Sequence, residues 1–301
     1  MSKAQRIRQL NARERIAAQQ AAARRAQARR RMYMASGSVL GVIAIVIGLI
    51  VWKNANSNSA AAAASARATA AEVSQVSQQI TTVPVATLNA VGKGSGVSPL
   101  TRTSGQPSLT LGGKPQVLYM GAEYCPYCAA ERWAMVVALS RFGTFSNLHL
   151  IHSTSSDVYP NTPTLSFYKS SYTSQYVQFT PVELVGLKNN GVTLQKPTAA
   201  EAALMSKYDA PPYISSANAG SFPFLDIGNQ YLAIGAQYLP SSLAKLSWTQ
   251  VAADIRNPGS AVAQGVDGTA NSITAAICKI TNNAPVSVCN SASAKAGAGS
   301  L

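Results

Sequence analysis

Two cysteines separated by two residues stand where a predicted strand passes directly into a predicted helix. The apolar run QVLYMGA, residues 116–122, is typical of a buried strand. After Cys125 and Cys128, the segment AAERWAMVVALSRFG has apolar residues at helical spacing and a glycine at its end. This junction favours an α/β fold and places both thiols at the start of the helix.

A helix N-terminus is a favourable position for a reactive thiol. Unpaired backbone N–H groups and the positive end of the helix dipole stabilise a thiolate there, and Pro126 presets the first helical residue without removing a needed donor. Cys128 follows one helical turn after Cys125, so the two sulfurs can close a small ring. We therefore predict that Cys125 is a nucleophile and that Cys128 resolves its mixed disulfides.

A zinc site is the alternative use of the same cysteines, together with His149 and His152. Twenty residues separate the two pairs, and both histidines fall in a predicted strand on opposite faces. Four zinc ligands must converge, so we predict no metal site. The chain also has no paired carboxylate motif, glycine-rich phosphate loop or nucleophile elbow, which argues against hydrolases and nucleotide-binding enzymes.

Most of the positive charge lies at the N-terminus. Residues 1–34 contain ten Lys and Arg residues against the single acid Glu14, a net +9 of the chain's formal +14. Residues 35–52, ASGSVLGVIAIVIGLIVW, carry no charge and are long enough for a transmembrane helix. Because basic flanks stay in the cytoplasm, we predict a single-pass protein of the cell membrane with a cytoplasmic tail and an extracytoplasmic C-terminal domain.

Two alternatives remain open for this N-terminal part. The Ala-rich stretch NSAAAAASARATA could be a signal-peptide cleavage site, although both interpretations deliver the rest of the chain to the same side of the membrane. The basic tail could bind anionic lipid. Without interleaved aromatic residues, it gives no support for a specific nucleic-acid partner.

Composition divides the remaining chain. Residues 53–80 are rich in Ala, Ser, Asn and Gln, and predict a low-complexity linker. A folded extracytoplasmic domain is expected over residues 81–292, beginning with strand-like runs such as VPVATLNAVG. Residues 293–301 are predicted to form a disordered tail.

All four cysteines lie in the part predicted to be extracytoplasmic, where disulfides are the default state. Cys278 and Cys289 follow the helical pattern SITAAICKI and enclose KITNNAPVSV. We predict a structural disulfide that ties this helix end to the following turn. The alternative is that this pair passes electrons to Cys125 and Cys128.

The stretch VLYMGAEYCPYCAAERW resembles the active-site strand and helix of the thioredoxin superfamily, and its CPYC motif is similar to that of glutaredoxins. That superfamily has a proline, usually cis, which opens a later strand beside the active site, and Pro223 in SFPFLDIGNQYLAIGA matches it. LHLIHS resembles the intervening strand and SWTQVAADI the closing helix. The resemblance implies a thioredoxin-like three-layer α/β/α domain with an insertion at residues 181–220 and a C-terminal helical extension. The insertion could cover the active site or be a peripheral addition to the fold.

At closer range, the region from about Val83 to Cys289 resembles the domain of unknown function 929 family, membrane-anchored proteins of actinobacteria and archaea. The stretches that carry this resemblance are GAEYCPYCAAERWAMVVALSRFGTFSNL, DVYPNTPTLSFYKSSY, FTPVEL, YDAPPY and ITAAICKITNNAPVSVCN. It implies a thioredoxin-like fold and brings no defined activity.

The superfamily resemblance also implies roles for residues around the cysteines. Thioredoxins carry a buried acid at the position of Tyr119, so proton removal from Cys128 falls here to water or to another group such as Glu123 or Glu131. Pro223 is expected to dock the substrate main chain. Three aromatic residues are expected to wall the groove: Tyr124, Tyr127 and Phe222.

Together these features predict a membrane-anchored, extracytoplasmic thiol–disulfide oxidoreductase, of oxidase or isomerase type. Its expected partners are protein thiols and an envelope redox protein, and it needs no cofactor. The alternative is a non-catalytic binding or scaffold module of the cell envelope, with the same fold and a closed disulfide at the CPYC motif. That alternative requires Cys125 to be buried and unreactive.

Overall fold

A mixed six-stranded sheet with helices on both faces forms the centre of the fold. The computed structural model describes residues 68–188 and 192–301. Its α-helices are α1 (Ala70–Thr81), α2 (Val85–Val91), α3 (Pro126–Leu139), α4 (Ala199–Tyr208), α5 (Trp248–Ile255), α6 (Ala261–Ile280), α7 (Val286–Cys289) and α8 (Ala292–Gly297). Its strands are β1 (Thr101–Arg102), β2 (Thr110–Leu111), β3 (Lys114–Ala122), β4 (Gly143–Ser146), β5 (His149–His152), β6 (Pro163–Ser166), β7 (Ser171–Ser174), β8 (Gln178–Val185), β9 (Phe224–Ile227) and β10 (Tyr231–Ile234).

The sheet is organised around β3. This strand pairs in parallel with β8, from Gln116 opposite Gln178 to Ala122 opposite Val185. It also pairs antiparallel with β9, which forms a hairpin with β10, and β1 extends the sheet beyond β10. The α/β class predicted from the sequence is confirmed.

Successive residues of β3 supply two separate cores. Val117 and Tyr119 belong to the main core, which is formed with α1, α3, α5 and α6. Leu118 and Met120 face the other way and pack with Tyr208 of α4. Almost every residue of α3 is buried, including the charged residues Glu131 and Arg132.

The strand parallel to β3 differs from the sequence expectation. LHLIHS forms β5, which pairs with β6 in a separate two-stranded sheet. The place beside β3 is taken by β8, so residues 181–185 belong to the central sheet and not to an insertion. Pro181 and Glu183 interrupt the apolar pattern of β8, which weakens its signal as a central strand.

The folded domain begins earlier than predicted, because residues 70–81 form α1 and not the end of a linker. The hydroxyl of Thr69 accepts the backbone N–H of Glu72 at 3.1 Å and caps this helix. Val76 and Ile80 lie four residues apart and are buried in the main core. The strand expected in VPVATLNAVG is also wrong, since this segment forms α2.

The predicted disordered tail at residues 293–301 is wrong as well. The chain forms α8 there, followed by a turn of 3₁₀-helix at Ala298–Ser300. The backbone N–H of Ser293 donates to Asn89 Oδ1 at 2.8 Å, and a Cβ atom at Gly297 would collide with the carbonyl oxygen of Asn271. The small residues of this segment therefore allow α8 to pack closely against α6.

The predicted transmembrane segment at residues 35–52 and the basic tail lie outside the described residues. Within residues 68–188 and 192–301, none of the helices combines the length and the hydropathy that a bilayer crossing needs.

Truncation of Ile80 to alanine tests whether α1 is part of the domain. Ile80→Ala leaves a cavity in the main core, so we expect the free energy of unfolding to fall by about 2–4 kcal/mol. Gln75→Ala alters the exposed face of the same helix and is expected to change it by less than about 0.5 kcal/mol. Urea denaturation measures both values, and an equally small effect of the two substitutions would contradict the docking of α1.

Candidate functional site: the Cys125–Cys128 pair

Cys125 is the N-cap residue of α3, directly after β3. Its backbone is extended, with φ −76° and ψ 125°, and its Sγ accepts the backbone N–H of Cys128 at 3.3 Å. A sulfur thus takes the place of the oxygen that usually caps a helix. Pro126 occupies the first helical position, as the sequence indicates.

The two thiols differ in exposure. Cys125 is 7% exposed, whereas Cys128 is fully buried at 0%. Both are free thiols in the structure. The sulfur of Cys128 accepts the backbone N–H of Ala122 at 3.5 Å, so it faces the end of β3. A reagent that approaches from solvent therefore meets Cys125 first.

The two thiols also differ in acidity. A hydrogen bond from the Cys128 side chain lowers the pKa of Cys125 against the effect of burial, and the backbone N–H of Cys128 and the charge of Arg132 lower it further. Burial raises the pKa of Cys128 well above its ordinary value, and the hydrogen bond and charge of Cys125 add to this effect. The geometry thus favours a thiolate on Cys125 and a protonated thiol on Cys128.

Aromatic residues surround the pair. Ala122, Cys125 and Cys128 form a small apolar cluster of buried residues. Four partly buried residues pack against it: Tyr124, Tyr127, Val185 and Phe222. The structure therefore brings together the two cysteines and the three aromatic residues that the sequence assigned to a groove.

Pro223 follows Phe222 and opens β9. The peptide bond between them is cis, and the carbonyl oxygen of Pro223 accepts the backbone N–H of Gly235 at 2.8 Å. Pro223 is buried. It lies next in the chain to a side chain that contacts the cysteine cluster.

The two glutamates considered for proton transfer make other contacts. Glu123 accepts a hydrogen bond from Ser166 at 2.6 Å, and burial raises its pKa. Glu131 is fully buried and accepts the backbone N–H of Gln237 at 3.0 Å, and burial raises its pKa to about 7. Within the described residues, no hydrogen bond joins either carboxyl group to Cys128.

A buried ion pair beside the cysteines was missed by the sequence analysis. Arg132 donates through Nε to Glu183 Oε1 at 2.9 Å and through Nη2 to Glu183 Oε2 at 2.7 Å. Both side chains are fully buried. Arg132 stands in the mostly apolar segment AAERWAMVVAL. This position could have signalled the ion pair, because a buried charge needs a partner. No local pattern in the sequence identifies Glu183 on β8 as that partner.

Tyr119 lies on β3, six residues before Cys125. Its side chain is fully buried, and its ring lies edge-on to Phe167 with centroids 5.3 Å apart. The hydroxyl occupies the space that a Cβ atom would need at Gly121, two residues along β3. Burial raises the pKa of Tyr119 well above its ordinary value, so the phenol stays protonated.

Cys278 and Cys289 form a disulfide that connects α6 to α7, with Cα atoms 5.6 Å apart. His149 and His152 lie on β5, and the His152 ring contacts Trp248 with centroids 4.2 Å apart. Among the described residues, no group of three or more His, Cys, Asp or Glu side chains is placed to hold a metal ion.

Comparison with known proteins identifies one family. The sequence model of a family described as "Domain of unknown function (DUF929)" matches residues 102–279, which is more than half of the 301-residue chain. None of the curated proteins and none of the solved structures matches the chain.

The unequal thiols predict selective alkylation. In the folded protein we expect iodoacetamide to modify Cys125 with a pH midpoint below the ordinary cysteine value of 9.0, because the pKa of Cys125 is lowered. Cys128 is expected to stay unmodified until the protein unfolds. Mass mapping over a pH series measures this, with Cys125→Ser as the control. A midpoint at or above 9.0, or faster modification of Cys128, would contradict the proposed asymmetry.

Two buried carboxyl groups predict a stability that falls with rising pH. Burial raises the pKa of Glu131 from 4.5 to about 7 and that of Asp267 from 3.8 to about 8. At a pH between the unfolded and folded pKa values of each group, the folded state holds a proton that the unfolded chain has released. The free energy of unfolding therefore decreases as pH rises toward 8. Glu131→Gln with Asp267→Asn should flatten this slope in urea denaturation at pH 5 and pH 8, and an unchanged slope would count against it.

Proposed function

The chain belongs to the domain of unknown function 929 family, and from that premise we propose that it is a membrane-anchored, extracytoplasmic thiol–disulfide oxidoreductase. The observation that carries the proposal is the inequality of its two thiols. Cys125 caps a helix and has a lowered pKa, whereas Cys128 lies one turn later, fully buried, with a raised pKa. An attacking thiol and a resolving thiol have these opposite requirements.

The domain that performs this chemistry is proposed to be thioredoxin-like. Supporting features are the passage from β3 through the cysteines into α3, the parallel pairing of β3 with β8, and its antiparallel pairing with the β9–β10 hairpin. Helices on both faces of the sheet are consistent with a three-layer arrangement. Residues 68–98, which form α1 and α2, then extend the domain at its N-terminal side.

The membrane location rests on the sequence. The uncharged residues 35–52 follow a strongly basic stretch, which favours a single-pass anchor with the later residues outside. The Cys278–Cys289 disulfide is consistent with an oxidising compartment.

The proposed reaction begins with the Cys125 thiolate. It attacks a substrate disulfide, bonds to one substrate sulfur and releases the other as a thiolate with the electron pair. Cys128 then loses its proton to water and attacks Cys125 Sγ, which forms the Cys125–Cys128 disulfide and releases the first substrate sulfur as a thiolate. Two electrons pass to the substrate, and the reverse sequence oxidises substrate thiols.

The aromatic surroundings indicate the substrate class. Tyr124, Tyr127 and Phe222 pack around the cysteines and are each partly exposed, so they offer apolar surface beside the reactive sulfur. Tyr159 extends this surface, since its ring lies edge-on to Tyr127 with centroids 5.8 Å apart. We propose that extracytoplasmic protein segments with apolar residues next to a cysteine dock here, with Pro223 shaping the contact to their main chain.

One observation favours the second candidate, a binding or scaffold module. Only 7% of Cys125 is exposed, and a binding module of this kind requires a thiol that solvent and other proteins hardly reach. The two candidates differ in the reduction potential and reactivity of the same pair.

A redox titration of the full chain against glutathione buffers separates the candidates. An oxidoreductase is expected to show rapid alkylation of Cys125 alone and a potential of the Cys125–Cys128 pair above about −250 mV. Cys128→Ser should accumulate mixed disulfides with substrate proteins, and Cys125→Ser should accumulate none. A pair that stays oxidised below about −300 mV would replace the enzyme with the binding module.

A further inference from the structure

The guanidinium of Arg132 has hydrogen-bonding capacity that its ion pair does not use. Nε and Nη2 donate to the two carboxylate oxygens of Glu183, and Nη2 also donates to the carbonyl oxygen of Ala122 at 2.8 Å. Nη1 is buried and has no hydrogen-bond partner within the described residues. Leaving a charged donor buried and unpaired is costly. The unpaired Nη1 of Arg132 is therefore available to a neighbouring group that becomes negatively charged only during the reaction.

Cys128 is the group beside this guanidinium that can gain a negative charge. Arg132 lies four residues after Cys128 on α3, hence on the same side of the helix. Ala122 connects the two, because its carbonyl oxygen accepts from Arg132 and its N–H donates to Cys128 Sγ. The charge of Arg132 also lowers the pKa of Cys128, against the larger effect of burial.

The other titratable groups around Cys128 do not offer a free carboxylate. Cys125 caps the same helix, and Tyr119 interacts with Cys128 from β3 and has a buried hydroxyl without a hydrogen-bond partner within the described residues. Glu183 on β8 is held by two hydrogen bonds from Arg132 and a third from the backbone N–H of Phe167 at 3.2 Å. Arg132 stays cationic: burial lowers its pKa, but the attraction and hydrogen bond of Glu183, together with the smaller contributions of Tyr119 and Cys128, raise it well above the ordinary value.

We propose that Arg132 is a positioning residue that stabilises the Cys128 thiolate during resolution of the mixed disulfide. This inference rests on the proposed function and assigns to Arg132 the stabilisation of the negative charge on Cys128. When Cys128 gives its proton to water, the guanidinium stabilises the sulfur anion in place. The anion then attacks Cys125 Sγ, and the electron pair of the broken bond leaves on the substrate sulfur.

Two variants shift the charge at Cys128 in opposite directions. Arg132→Met combined with Glu183→Leu removes the ion pair without leaving a buried charge alone, an exchange that proteins often tolerate. Glu183→Gln keeps Arg132 but removes its counter-charge. Arg141→Met is the matched control, since Arg141 is a partly buried arginine that binds Ser291 Oγ at 2.8 Å.

The assay follows the two thiolate products released when the reduced full chain reacts with 5,5′-dithiobis(2-nitrobenzoate), with Cys278–Cys289 intact. Attack by Cys125 releases the first product, and attack by Cys128 on the mixed disulfide releases the second. Below the pKa of Cys128, each unit by which that pKa rises lowers the thiolate fraction about tenfold. A thiolate of higher pKa is also a stronger nucleophile, so the second phase should slow by a net factor of about three for each unit. We expect a slowing of about threefold or more in the double variant, a faster phase in Glu183→Gln, and no change in Arg141→Met.

The outcomes separate this inference from the proposed function. If the native chain releases no first product, or if Cys128→Ser still releases the second, the oxidoreductase proposal fails. If both phases occur and depend on Cys125 and Cys128, but the pH profile of the second phase is the same in Glu183→Gln as in the native chain, only the role of Arg132 is overturned. The same comparison with the double variant decides the role of Arg132 if Glu183→Gln, which leaves a buried charge unpaired, does not fold.

Discussion

The ion pair between Arg132 and Glu183 ties together the elements that create the site. Arg132 comes from α3, Glu183 from β8, and the carbonyl oxygen of Ala122 adds the end of β3. All of these contacts are made in the absence of solvent, where electrostatic interactions are strong and an unpaired charge is costly. The first turns of α3 are thus held against the C-terminal end of β3, directly before the two cysteines in the chain.

The chemistry proposed for the cysteines follows from this placement. The charge pair at Arg132 anchors the middle of α3, and the N-terminal cap of this helix is supplied by the sulfur of Cys125 itself. A residue that caps a helix receives N–H groups and the helix dipole, whereas a residue one turn later lies in the core. The same few residues therefore make one sulfur acidic and partly accessible and the other buried and protonated.

The strand–CxxC–helix junction could be predicted from sequence because its signals are local: an apolar run, a proline at the first helical position and helical spacing after it. The elements that were missed depend on distant partners. In α1, Val76 and Ile80 are buried in the main core, and Arg256 binds the carbonyl oxygens of Gln79 and Thr82 at its C-terminal end. In β8, a charged residue such as Glu183 is unfavourable in a central strand without the partner that Arg132 of α3 supplies. In α8, small residues mark close packing against α6 and not disorder.

Gly121 and Tyr119 show how the site constrains its own sequence. The hydroxyl of Tyr119 occupies the space that the Cβ atom of any residue other than glycine would need at position 121. A side chain at position 121 and a tyrosine at position 119 therefore cannot occupy the space beside the cysteines together. Among related chains they should vary together, with a side chain at 121 accompanied by a shorter residue at 119. An alignment of the family would then trace the shape of the site without any structure.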